Sequence, residues 1–203
     1  MLFHYHFWTP YVEETEQFYI ENGFRVSQRI GRYEGEYQEF NPPLDWKDFR
    51  DKEILFRIIE VRKGAINITF GYGKKVKFDH IGFLVSENDH EKIISNAQNM
   101  NWKVNVKERR TFIGTPYGFR IELQRNKDAI DQTNSPIRLT KLKIATQSFE
   151  LDRNLTRLFG QPIEGIKSIM GGKVTIRDAE MTHIPLINNI DPNGVKIILK
   201  HND

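Results

Sequence analysis

The stretch from Lys77 to Arg125 constrains the fold more than any other part of the chain. It reads KFDHIGFLV, then a polar run, then FIGTPYGFRIELQR. KFDHIGFLV has the length and apolar content of a short strand, with His80 near its start. Residues 88–100 carry a helical pattern, and 102–106 form a strand. Phe119–Arg125 forms the last strand and carries Glu122. Strands and helices mixed in this order imply an α+β fold, in which helices cover one face of a sheet.

Residues 2–72 repeat that order. Leu2, His4, His6 and Trp8 alternate with Phe3, Tyr5 and Phe7, which predicts a strand with the two sets on opposite faces. Thr9-Pro10 ends it, because proline has no ladder donor. Val12–Asn22 reads as a helix with Val12, Phe18 and Tyr19 on its buried side. Glu13, Glu14 and Glu16 bias its first turn toward negative charge, which suits the dipole. Gly23 stands as a C-terminal glycine. FRVSQRI predicts the next strand, and Ile54–Val61 and Ala65–Phe70 flank a Lys63-Gly64 turn. Between them, residues 31–51 make a long connection rich in aromatics (Tyr33, Tyr37, Phe40, Trp46, Phe49). Two readings stand for it, a loop pinned to the core and a cap over a cavity. Aligning the two repeats sets His4 opposite His80.

After Arg125 a polar segment reads as a linker over 127–137. Leu139–Ala145, Lys173–Arg177, Glu180–Pro185 and VKIILK are candidate strands. Leu151–Phe159 is a short helix ended by Gly160, and Asp191-Pro192-Asn193-Gly194 is a strong turn signal. The expected organisation is a pair of units within 1–126 (about 2–72 and 77–126), the linker, and a third, divergent unit over 138–203.

The chain has 203 residues and a net charge of +3. That length buries a core without disulfides or structural zinc, and with no cysteine there is neither a thiolate metal site nor a cysteine nucleophile. No apolar run approaches the roughly 20 residues that span a bilayer, and MLFHYHFWTP lacks the basic start of a signal peptide. A cytoplasmic protein without membrane partners is the default expectation. The runs Lys74-Lys75-Lys77 and Lys107-Arg109-Arg110 read as solvated faces, so no nucleic-acid partner is expected. The absence of a GxGxxG or phosphate-cradling loop excludes nucleotide cofactors from the expectation.

The FDHIGFLV and GFRIEL pair, the Phe18-Tyr19…Asn22-Gly23-Phe24 helix end and the Asp-Pro-Asn-Gly turn resemble the vicinal oxygen chelate superfamily. This group holds glyoxalases, fosfomycin-resistance proteins, bleomycin-resistance proteins and extradiol dioxygenases. The resemblance implies βαβββ modules, two of them paired into a cupped half-barrel, with a divalent metal (Fe, Mn or Zn) held on inward-facing strands. It implies His4, His80 and Glu122 as the ligands, with His6 as a substitute for His4. A fourth ligand of the glyoxalase I kind would stand at Asn67–Thr69, where there is no carboxylate. Arg57, Tyr117 and Arg120 are candidates for substrate binding, and no catalytic acid or base is assigned. Against these stand plainer readings: His80 as a core histidine, Glu122 paired with Arg120, Tyr117 packed on the rim, His183 at the surface or in the core, and His90 and His201 at the surface. The third unit has Lys141, Lys143 and Ile198 where ligands would stand. It therefore builds no metal site, and either covers a sheet edge or meets its twin in a homodimer. Two functions follow: a metal-dependent lyase, transferase or dioxygenase acting on a chelated small molecule, or a metal-free small-molecule binder of the bleomycin-resistance type.

Overall fold

The computed structural model describes residues 1–200; His201 lies outside them. A nine-stranded mixed sheet holds β1 (Leu2–Thr9), β2 (Arg25–Tyr33), β3 (Glu36–Glu39), β4 (Leu55–Lys63), β5 (Ile66–Tyr72), β6 (Lys77–Leu84), β7 (Lys103–Val106), β8 (Arg110–Gly114) and β9 (Arg120–Gln124). Their order is β3-β2-β4-β5-β1-β6-β9-β8-β7. In each half the first strand runs parallel to the last, β1 beside β5 and β6 beside β9. The halves meet where β1 pairs antiparallel with β6. This is the paired βαβββ architecture that the resemblance implies.

Helices α1 (Val12–Glu21) and α2 (Glu87–Asn99) follow the first strands. Gly23 takes φ 79°, a left-handed conformation that closes α1 at little steric cost. Ser86 caps α2 by accepting from the Asp89 backbone N–H at 3.1 Å. Phe18 and Tyr19 of α1 are buried in one core with Tyr5, Phe7, Phe70 and Ile81. Each such side chain contributes about 1.5–3 kcal/mol by leaving water.

Two bulges break the strand alternation at the β1–β6 seam. The register passes from Leu2↔Phe83 to His4↔Gly82, so Phe3 is the extra residue on β1. Phe3 leaves the Tyr5/Phe7 face and stacks on the His4 ring, centroids 5.4 Å apart. Leu2 joins the main core instead, a correction to strict alternation. The second bulge lies between His6↔His80 and Phe7↔Phe78, with Asp79 as the extra residue. Bulges re-aim side chains in this way.

Residues 31–51 are pinned to the core. They contain β3 and a short 3-10 turn at Trp46–Phe49, with Phe40 and Phe49 buried against Phe56. Arg29 donates to both Glu16 carboxylate oxygens at 2.7 Å and also to the Phe40 and Leu44 carbonyls. Trp46 Nε1 donates to the same carboxylate at 2.9 Å.

A second sheet holds β10 (Leu139–Thr146), β11 (Ile166–Met170), β12 (Thr175–Met181) and β13 (Lys196–Leu199), in the order β11-β10-β12-β13. Helix α3 (Leu151–Phe159) joins β10 to β11. The sequence pattern missed β11 and divided β12 in two. The unit has one strand, one helix and three further strands, yet its pairing copies the four central strands of the large sheet. β10 runs parallel to β11, β12 parallel to β13, and β10 pairs antiparallel with β12. The register shifts of β10, at Leu139/Lys141 and Lys143/Ile144, fall at the same strand positions as those of β1. Lys141 thus corresponds to His4, Lys143 to His6 and Asp178 to His80. Ion pairs Lys141–Glu180 and Lys143–Asp178 occupy this second, shallower face. The unit is not an edge cover, because β10 and β12 pack against the central strands β1 and β6. The segment after Arg125 is also more than a spacer, since Asn67 Nδ2 donates to the Ala129 carbonyl at 2.7 Å.

Candidate metal centre

His4 on β1, His80 on β6 and Glu122 on β9 converge inside the cup. One donor atom from each lies within 4.8 Å of the other two, and all three residues are buried. The parallel register Gly82↔Glu122 and the antiparallel register His6↔His80 bring three sequence-distant strands to one point. Strand alternation does the rest, because every second side chain faces the cup.

The hydrogen bonds set the tautomers. His4 Nδ1 lies 2.9 Å from the Asn67 carbonyl oxygen, which can only accept, so Nδ1 carries the proton. His80 Nδ1 donates to the Asp79 carboxylate at 2.7 Å. Each ring is thus held through Nδ1 and turns its Nε2 into the cup. These two nitrogens stand 3.0 Å apart, and Glu122 Oε2 stands 3.2 Å from His80 Nε2. Glu122 Oε2 is buried and meets no hydrogen-bond donor. A carboxylate oxygen and two imidazole nitrogens crowded together away from water favour a positive charge among them. Two imidazoles and one carboxylate suit a divalent metal with open positions.

The electrostatics agree. Burial, partly offset by the Glu122 carboxylate, pushes His4 down to about 4, so the ring stays neutral near pH 7. Burial works to raise Glu122, but His80, His4 and Arg110 outweigh it and hold the carboxyl below its usual range. Burial is likewise outweighed at Asp79, where His80 and Arg120 hold the carboxylate far below its usual value.

Asp79 and Asn67 orient the two imidazoles, and sequence reasoning assigned neither. Asp79 also accepts from Trp8 Nε1 at 3.2 Å and from Arg120. Its signal was a lone charge in an apolar strand, directly before a histidine. Asn67 stands opposite His4 in the β1–β5 register, where a fourth ligand was sought and found missing. Its amide is fixed by Glu60 at 2.8 Å and by the Ala129 carbonyl.

Other expected residues fall elsewhere. His6 Nδ1 shares a 2.7 Å hydrogen bond with Thr69 Oγ1, and its ring stacks on His80 at 4.9 Å, nearly parallel. His4 rather than His6 completes the three-residue cluster. Arg120 pairs with Asp79 and lies over the Phe112 ring, not on Glu122. Arg57 lies 4.2 Å over the Trp8 ring. Tyr117 leaves the cup altogether: its hydroxyl accepts from Asn154 Nδ2 at 2.5 Å and its ring packs on Trp102. His90 is buried, not at the surface, and its Nε2 meets Thr111 Oγ1 at 3.0 Å. Among the described residues no helix is long and apolar enough to cross a membrane.

A cavity of about 320 Å³ opens beside the cluster, lined by Phe3, His4, Glu60, Arg62, Arg110 and Glu122 among others. A larger groove, about 720 Å³, runs between α1 and residues 188–192, far from the histidines, and shares none of their chemistry.

No protein-family model and no curated protein sequence matches the chain. Solved structures do match in fold. Homoprotocatechuate 2,3-dioxygenase from Brevibacterium fuscum superposes with a TM-score of 0.63 at 12% identity, covering 100% of this chain and 71% of that one. The 2,3-dioxygenase LapB from a Pseudomonas species gives 0.55 at 14% identity, over 89% and 74%. A variant of 4-hydroxymandelate synthase from Streptomyces coelicolor gives 0.58 at 8% identity, over 90% and 70%. Strand order, the seam between the paired modules and these superpositions agree: the chain has the α+β fold of paired βαβββ modules that the vicinal oxygen chelate resemblance implies and that these dioxygenase structures share.

Proposed function

We propose that the protein is a metal-dependent enzyme of the dioxygenase type, acting on a small molecule that chelates the metal through two neighbouring oxygens. His4, His80 and Glu122 are the ligands in this reading, and Fe(II) is the metal the donor set and the dioxygenase fold favour over Mn or Zn. The observation that carries it is the convergence of two imidazole Nε2 atoms and an unpartnered carboxylate oxygen at one buried point.

When bound, the ion supplies a Lewis acid with open positions for a chelating ligand. The chain supplies the rest. Asp79 and Asn67 hold the two imidazoles in the tautomer that presents Nε2. Phe3 and Phe112 wall the cluster and limit water. Arg110 reaches to 3.8 Å from Glu122 Oε2, the oxygen that also faces His80. A metal-free binding protein has no use for this buried cluster, and would leave the Glu122 oxygen without a partner.

The test is oxygen uptake after anaerobic loading with Fe(II), across a panel of catechols and 2-oxo acids. Uptake that needs Fe(II) and disappears in His80→Ala supports the assignment. A metal-loaded protein that consumes no oxygen with any member of the panel contradicts the dioxygenase type.

A further inference from the structure

We propose that the cavity beside the cluster takes a small carboxylic acid with a planar apolar body, its carboxylate held by Arg110. This inference rests on the reading above for where the chelating end of the ligand lies, and on separate residues for the acid group.

Three guanidiniums and three carboxylates line this cavity, and their pairing is uneven. Arg62 Nε donates to Glu60 at 2.7 Å. Arg109 donates to Asp128 at 2.6 Å. Glu60 is further held by Ser27 at 2.6 Å and by Asn67. The Arg110 side chain makes no hydrogen bond among the described residues, and its one carboxylate neighbour is Glu122, at 3.8 Å. That carboxylate is a candidate metal ligand, so a bound cation takes its charge and leaves Arg110 without a counter-ion. A loaded cavity then carries excess positive charge facing a half-exposed guanidinium, its side chain 44% accessible.

The position is fixed as well as charged. The Arg110 guanidinium lies 5.6 Å over the Phe112 ring, and Phe112 packs edge-on to His80. The guanidinium fork therefore stands close to the metal cluster, with an aromatic surface beneath it and Phe3 lining the same cavity. Planar guanidinium against planar carboxylate gives bidentate recognition. Arg57 and Arg120, the arginines singled out in the sequence, serve this purpose less well. Arg120 is already neutralised by Asp79, and Arg57 lies over Trp8 outside the cavity lining.

The experiment compares 3,4-dihydroxybenzoate with 4-methylcatechol, neutral at the carboxylate position and similar in size. Calorimetric titration under anaerobic conditions is run on wild type, Arg110→Met and Arg110→Lys, each metal-free and loaded with Zn(II), with metal content measured on the same samples. The acid should bind wild type about tenfold more tightly or better, as a charge-assisted pair requires. Arg110→Met should lose that preference and Arg110→Lys should keep part of it, with metal content unchanged. Equal affinity for the two probes, no binding of the acid to either form, or a preference that Arg110→Met retains would overturn the proposal. An acid preference that persists without any metal uptake would instead sustain the carboxylate site and sink the metal assignment.

Discussion

Asp79 and His80 are consecutive in the chain, yet their side chains meet, His80 Nδ1 donating to Asp79 Oδ2 at 2.7 Å. Regular alternation would send them to opposite faces of β6. The bulge at Asp79 brings them together, and Arg120 and Trp8 hold the carboxylate from its other side. A carboxylate behind a ligating histidine fixes the ring and raises its basicity.

Asp79→Asn tests that relationship. The amide keeps an acceptor and the size but loses the charge. Metal affinity should fall by about 10–100-fold, measured by competition with a chromophoric chelator, while the folded state persists. Unchanged affinity would show that the Asp79 carboxylate plays no part in tuning His80.

Metal itself should stabilise the protein. An ion at a hundredfold excess over its dissociation constant adds about 2.7 kcal/mol, which for a chain this size raises Tm by about 5–10 °C. Thermal melts with chelator and with added Fe(II), Mn(II) or Zn(II) measure this. The shift should vanish in His80→Ala/Glu122→Ala.

The candidate cluster was legible in the sequence because His80 and Glu122 sit in short apolar strands at matching places in a repeat, and His4 falls opposite His80 in the other copy. Its supporting shell was not. Asp79 and Phe3 owe their positions to bulges, and an extra residue in one strand leaves no mark in hydrophobic periodicity. Arg110 sat within a basic run that read as a solvated face, and only its neighbours' pairings set it apart. Tyr117 looked like a rim residue because its partner, Asn154, belongs to α3, remote in sequence. The second sheet was read as one unit because its four strands carry no ligands to mark the two halves, and β11 lacks alternation.

The ion pair of Glu16 with Arg29, side chains only 1% and 4% exposed, ties α1 to β2, and Arg29 and Trp46 extend it to the connection over 31–51. Glu16→Ala leaves a buried guanidinium unpaired and removes the acceptor of Trp46. Stability should fall by about 3–5 kcal/mol, read by urea denaturation, and residues 31–51 should become protease-sensitive in the native state. A loss under about 1 kcal/mol, the range of exposed pairs, would contradict the buried role.

Asp191 gives a pH signature. Burial chiefly, against hydrogen bonds from the Val195 and Asn193 backbone and the Tyr19 hydroxyl, raises its carboxyl from 3.8 to about 6. A carboxyl with a folded pKa above its unfolded value holds more protons when folded. Its contribution is therefore present at low pH and is lost as pH rises from about 4 to about 6, with a span of about 3 kcal/mol. Other carboxylates, Asp79 and Glu122 among them, act in the opposite direction, so the quantity to measure is the difference between wild type and Asp191→Asn. That difference should move in favour of the variant as pH rises through this window and stay flat above pH 7. A difference independent of pH would contradict the buried-acid assignment.

The most direct test of the central claim is metal content by elemental analysis, on protein purified without a histidine tag or chelator and then reconstituted. Wild type should hold about one divalent ion per chain at neutral pH, where the ligands are deprotonated, and His80→Ala/Glu122→Ala should hold none. Wild type that retains no ion after exposure to Fe(II), Mn(II) and Zn(II), or a double variant that retains as much as wild type, would contradict the metal centre at His4, His80 and Glu122.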